Sequence, residues 1–199
     1  GALQDVHAAA ADPRLYLQLP ATSASDNALP VTLGFHPQDF TQVNPQVNHA
    51  MVAQALKWLE LSGVDRVADL FCGMGNFTVP MAQQAGWVVG IEGVESMAER
   101  GHENSAHNGL TNCDFRALDL NSQALGAMLQ QEGITKVLLD PPRAGALFVC
   151  EQIATVGVER LVYVSCNPAS FARDAAVLAG SGYRLAEMRV LDMFPQTVH

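Results

Sequence analysis

The chain has 199 residues, 49% of them hydrophobic, with eleven basic residues against twenty acidic ones for a formal charge of −9. That length builds one substantial α/β core, and the acidic balance works against tight, sequence-independent binding to a polyphosphate, leaving a local basic cluster or a separate domain to make such contacts. No apolar run approaches the roughly 20 residues that span a bilayer, no secretory signal is visible, and Cys72, Cys113, Cys150 and Cys166 form no C-x-x-C pair, so the sequence predicts a soluble, cytoplasmic protein with reduced thiols and no local zinc or iron–sulfur motif.

Residues 1–38 are rich in Ala, Pro, Ser and Asp, with short extended pieces at 14–19 and 31–35 separated by a turn-prone stretch at 22–27. They read as a β-type leader or the remnant of a preceding domain, and 39–199 as the main domain. Asn44 and Pro45 supply an N-cap and a first-turn proline for a helix that runs to 61 and stops at Gly63, with Val47, Met51, Ala55, Trp58 and Leu59 as its apolar stripe. Strand and helix signals then alternate: strand 67–71, helix 77–84, strand 87–91, helix 95–108, strand 114–117 and helix 122–131. The pattern continues with strand 136–139, helix 146–155, strand 160–164, helix 169–179 and a last strand over 184–190. Such alternation predicts a doubly wound parallel sheet of Rossmann-like type.

Open α/β sheets hold ligands at the carboxyl ends of their strands, and five strand ends there carry candidate chemistry. The segment Asp69-Leu-Phe-Cys-Gly-Met-Gly-Asn76 closes the first strand with G-x-G but lacks the third glycine of a dinucleotide fingerprint. Glu92, about twenty residues on, ends the next strand where an acid suits a ribose diol. Asp119 lies beyond the third strand and reads either as an adenine or ribose contact or as a solvated cap of the following helix. Asp140-Pro-Pro-Arg143 is a stiff, non-helical loop because two prolines fix two φ angles; it is either a simple turn or a site loop. Ser165-Cys-Asn-Pro168 follows a strand, with Asn167 and Pro168 placed as cap and first residue of the next helix. A cysteine there is either a small buried apolar residue or a nucleophile whose thiol is acidified by the helix dipole. His49, His102 and His107 have no ligand spacing.

Taken together, Asp69 to Asn76, Glu92, the run from Leu139 to Gly145, the run from Val164 to Pro168 and Asp192-Met-Phe-Pro195 closely resemble the S-adenosylmethionine-dependent RNA 5-methyluridine methyltransferases, most of all their 23S ribosomal RNA branch. The resemblance extends from about Asp39 to His199 and takes in the segment from Phe40 to Asn48. It implies S-adenosylmethionine contacts by Gln42, Phe71, Asn76, Glu92, Asp119 and Asp140, and Cys166 as the nucleophile. It also implies an RNA substrate, ribosomal RNA ahead of transfer RNA, and no membrane partner, and leaves the nucleotide and the oligomeric state open. Members of this family usually carry an N-terminal RNA-binding barrel, often with cysteines for an iron–sulfur cluster, and a general-base glutamate a few residues after the position of His199, followed by a final strand. None of these is visible here, so the expectation is a catalytic-domain fragment, with any iron–sulfur cluster confined to a missing N-terminal region.

The chemistry implied is addition of the Cys166 thiolate to carbon 6 of uracil, which activates carbon 5 for methylation, with Asp140 and Arg143 holding cofactor, ring or phosphate. Arg143 also reads as an exposed solvated side chain. An amino-group methyltransferase is the enzymatic alternative, since an Asp-Pro-Pro loop suits an exocyclic amine. That class usually places an aromatic residue after the prolines, where Arg143 stands here. A fragment that binds the cofactor without activity of its own is the non-enzymatic alternative.

Overall fold

The computed structural model describes residues 14–21, 29–39, 41–42 and 44–193. The turn expected at 22–27, together with Phe40, Val43, Phe194, Pro195 and His199 of the family-like stretch, lies outside the described residues. An antiparallel hairpin, β1 (Leu15–Leu19) and β2 (Val31–Phe35), precedes helix α1 (Pro45–Leu59). Then follow β3 (Arg66–Leu70), α2 (Thr78–Ala82), β4 (Trp87–Glu92), α3 (Glu95–His107), β5 (Cys113–Ala117) and α4 (Ala124–Gln131). The last described elements are β6 (Lys136–Leu139), α5 (Leu147–Val156), β7 (Arg160–Tyr163) and α6 (Pro168–Gly180).

These later strands form one five-stranded parallel sheet in the order β5-β4-β3-β6-β7. The alternation predicted a doubly wound α/β fold, and the sheet has it. Its order reverses at β3, which opens a crevice between the carboxyl ends of β3 and β6. Side-chain alternation along each strand supplies two buried faces. Val67, Val88, Leu138 and Val162 point into a core with α1, α2 and α3, whereas Ala68, Leu70, Val89, Ile91, Val137 and Leu139 point into a second core with α4, α5 and α6.

Both proline-led helices are capped as their sequences predict. Asn44 Oδ1 accepts the Val47 N–H at 3.2 Å, and Asn167 Oδ1 accepts the Ala169 N–H at 3.1 Å. Helix α1 ends at Leu59, earlier than the expected 61, because Glu60 turns left-handed at φ 49° and its N–H closes on the Leu56 carbonyl. Its buried stripe centres on Met51, Val52, Ala55, Leu56 and Leu59, and Asn48 is buried among them.

The hairpin is built into this fold. Leu19, Val31 and Leu33 lie in the same core as α1 and β3. On the outer edge of β2, Asn104 Oδ1 accepts the Gly34 N–H at 2.8 Å and its Nδ2 donates to the Gly34 carbonyl at 3.2 Å. Asn108 repeats the exchange at Thr32, at 2.9 and 2.7 Å. Four helix residues rise about 6 Å and two strand residues span about 6.6 Å, so two asparagines on α3 stand in for a neighbouring strand.

The strand expected over 184–190 is absent, which corrects the sequence reading. This segment is exposed and lies along α1, where Trp58 Nε1 donates to Glu187 at 2.7 Å and Arg189 donates to Gln54 at 2.6 Å. Its alternating pattern matches a strand, but a ladder needs a neighbouring strand, and side-chain bonds to a helix supply none.

Candidate active site

Register brings the loops to one level. Leu70 pairs with Ile91 and Leu139, and Leu139 with Tyr163. The next residues, Phe71, Glu92, Asp140 and Val164, therefore stand side by side at the carboxyl edge of the sheet. Across the edge, from β5 to β7, stand Asp119, Glu92, the Phe71 to Asn76 turn, Asp140 to Arg143, and Cys166.

The turn after β3 is strained where it meets the crevice. Phe71 has φ 66°, an uncommon conformation for a bulky side chain, and its N–H and that of Cys72 both donate to the Ile91 carbonyl, at 2.9 and 3.1 Å. Gly73 and Gly75 also have positive φ, 53° and 96°. Their roles differ. A Cβ on Gly75 would meet Phe115 at 2.9 Å, whereas one on Gly73 would meet only the Met97 methyl at 3.7 Å. Gly75 is thus demanded by packing, and Gly73 alone leaves open approach for a ligand. Glu92 braces the turn: Oε2 accepts the Gly73 N–H and Oε1 the Val94 N–H, each at 3.0 Å. Each oxygen keeps a lone pair for a diol.

Two further carboxyls lie close by. Asp69 is fully buried; Oδ2 accepts the Thr78 hydroxyl at 2.6 Å, and Oδ1 is buried without a partner. Burial pushes its carboxyl up to about 7, opposed by the Thr78 hydrogen bond and reinforced by Asp140. Burial likewise pushes Asp140 up to about 7. A site with two acids held near neutrality and an orphaned buried oxygen favours a cationic ligand, whose charge would ionise them.

At the β7 end, Cys166 is exposed one residue before the Asn167 cap of α6. The other three thiols differ in environment. Cys72 and Cys150 are buried, and burial raises the pKa of Cys72, Cys113 and Cys150, the last to about 12. Asn167 Nδ2 donates to the Arg143 carbonyl at 3.1 Å, so the Cys166 loop and the Asp140 loop are directly joined. The Arg143 side chain is exposed beside that junction.

Gln42 is half-buried just before the α1 cap. Asn76 is half-buried and engaged by Asn48. Asp119 is exposed, its Oδ1 accepting the Asn121 N–H at 2.9 Å in the turn before α4. Spacing alone does not single out Asp69 or Asn48. Each carries the same signal, a polar residue at an apolar position of its strand or helix.

A parallel sheet of this order, with acids closing β4 and β6 around a glycine turn, defines a Rossmann-like methyltransferase domain. Residues 31–199 match the tRNA (uracil-5-)-methyltransferase family, and the chain belongs to it. It is 52% identical over 169 residues to the 23S rRNA (uracil(1939)-C(5))-methyltransferase RlmD of Pectobacterium atrosepticum, covering 85% of this chain and 38% of that one. The RlmD of Pseudomonas fluorescens is 54% identical over 167 residues, covering 84% and 37%. Among solved structures, the tRNA (uracil-54, C5)-methyltransferase of Pyrococcus abyssi, in complex with S-adenosyl-L-homocysteine, superposes with a TM-score of 0.70 at 29% identity over 82% of this chain and 39% of that one. The chain thus spans about two fifths of the length of these relatives. Among the described residues no helix is long and apolar enough to cross a membrane.

Proposed function

We propose that this chain carries the catalytic domain of an S-adenosylmethionine-dependent methyltransferase that modifies carbon 5 of a uridine in RNA, ribosomal RNA ahead of transfer RNA. The observation that carries the reading is the alignment, at one sheet edge, of a cationic-ligand site around Gly73, Glu92, Asp69 and Asp140 with an exposed cysteine at a helix start. High identity to ribosomal RNA uracil methyltransferases supports the substrate class.

S-adenosylmethionine supplies an electrophilic methyl group when bound. Glu92 would accept the ribose hydroxyls while its bonds to Gly73 and Val94 fix its rotamer. Asp69 and Asp140 would balance the ligand's positive charge, and Gln42, Phe71, Asn76 and Asp119 complete the proposed contacts. Carbon 5 of uracil is a poor nucleophile. Addition of the Cys166 thiolate to carbon 6 moves electron density through the ring to carbon 5; once carbon 5 carries the methyl, transfer of its proton to a general base, the carboxylate expected a few residues after His199, returns the pair to the ring and expels the thiolate. Arg143, exposed beside the nucleophile loop, would stabilise charge on the ring or on a phosphate. The target base must leave its stack to reach this edge.

RNA containing 5-fluorouridine tests the chemistry, because fluorine at carbon 5 cannot leave as a proton. The whole protein should form a denaturation-resistant adduct with it. Cys166→Ala should abolish the adduct and lower turnover roughly a thousandfold or more. Methylation that survives in Cys166→Ala would point instead to transfer onto an amino group.

A further inference from the structure

We propose that Asp174 is the positioning residue that sets the Cys166 loop against the Arg143 loop, an inference that rests on Cys166 acting as the nucleophile. Asp174 is fully buried, on the inward face of α6. Its Oδ2 accepts the Ala146 N–H at 2.6 Å and the Tyr163 hydroxyl at 2.7 Å, and its Oδ1 accepts the Arg173 Nε–H at 2.8 Å. The first two donors come from the start of α5 and the end of β7, the elements that flank the two loops. A carboxylate is stable in such burial only when its oxygens are engaged, and charge-assisted bonds of this length are among the strong ones.

The same helix grips the loop between its two anchors. Asn167 Nδ2 donates to the Arg143 carbonyl at 3.1 Å, the Ser170 hydroxyl shares its one hydrogen between the Arg143 and Asn167 carbonyls, each at 3.1 Å, and Arg173 donates to the Ala144 carbonyl at 2.9 Å. The backbone from Arg143 to Ala146 is therefore held at 143, 144 and 146 by the first two turns of α6. Gly145 makes that approach possible. Its φ is 81°, and a Cβ there would fall 2.6 Å from Asp174 Oδ2 and 2.9 Å from Ser170 Cβ. Cys166 sits between Tyr163 and Asn167, one tied to Asp174 and the other to Arg143. Burial and the Asp174 bond both raise the Tyr163 pKa, so its hydroxyl stays a donor. Loosening Asp174 frees both loops at once, and a misplacement of about 1 Å between reacting groups costs about a hundredfold in rate.

The test uses the whole protein and compares Asp174→Asn with wild type below the melting temperature of each. The variant loses the charge that strengthens every one of these bonds, and its amide N–H must face either Arg173 or, because they share one oxygen, both the Ala146 and Tyr163 donors. The expected result is a kcat at least about tenfold lower, a matching fall in the rate of adduct formation on 5-fluorouridine RNA, and a cofactor Kd and RNA KM within about twofold of wild type. Ser170→Ala removes one bond to the Arg143 carbonyl with little loss of packing, and covers the case in which Asp174→Asn does not fold; it should lower kcat several-fold with the same signature. Wild-type kcat and adduct rate in a folded Asp174→Asn, or in Ser170→Ala if the first variant fails to fold, overturn the proposal while the nucleophile reading stands. Full methylation by Cys166→Ala defeats the nucleophile reading itself, and this proposal with it.

Discussion

Asn48 and Asn76 exchange two side-chain hydrogen bonds, from Asn48 Nδ2 to Asn76 Oδ1 at 2.8 Å and from Asn76 Nδ2 to Asn48 Oδ1 at 3.0 Å. The pair ties α1 to the glycine turn after β3. Asn48→Ala should cost about 1–3 kcal/mol, because it leaves the Asn76 amide unpaired in a partly buried site. Replacing both should cost less than the sum of the single changes. Denaturant unfolding of the three variants checks this, and strictly additive losses would refute the coupling.

Stability should fall as pH rises from about 4 to about 7. Asp69 and Asp140 ionise near 3.8 in the unfolded chain and near 7 in the fold. Below the lower value both states hold the protons and the fold incurs no penalty. Between the two values the unfolded chain has released protons that the fold retains, so stability is lost across that window and levels off above it. Asp69→Asn cannot ionise. Relative to wild type it should gain stability, on the order of a few kcal/mol, between pH 4 and pH 8. Thermal melts across that range read the difference, and a constant offset would contradict it.

Cysteine reactivity should separate cleanly under native conditions. Cys166 is exposed, whereas Cys72 and Cys150 are buried and all three other thiols have raised pKa values. Mass spectrometry after brief alkylation should find the label on Cys166, with the others modified only on unfolding. Equal labelling of Cys150 would show that the α5 face opens readily.

Gly145→Ala should destabilise by more than about 1 kcal/mol from the left-handed backbone alone, before the clash with α6 adds to it. Gly109→Ala, at φ 69° with nothing within 4 Å of the new methyl, isolates the backbone contribution. Urea midpoints for both variants should rank Gly145→Ala as the worse.

The sequence by itself determined what depends on local pattern. Alternating strand and helix periods fixed the doubly wound class, Asn44-Pro45 and Asn167-Pro168 marked two helix starts, and the acids and cysteine that end successive strands marked the edge where a site belongs. These features are short in range, so the residues that cause them are neighbours in the chain. Tertiary structure decided the rest. The 184–190 segment alternates like a strand, yet pairing needs a partner strand, and α1 meets it instead. Two glycines two residues apart in one turn look alike, but only the packing of Phe115 and Met97 separates a crowded Gly75 from an open Gly73. Asn48 with Asn76, and Asp174 with Ala146, join residues 28 apart, and the Tyr163 bond to Asp174 spans two elements, so no local period reports such contacts. A buried polar group acquires its meaning only from the donor or acceptor that folding brings to it.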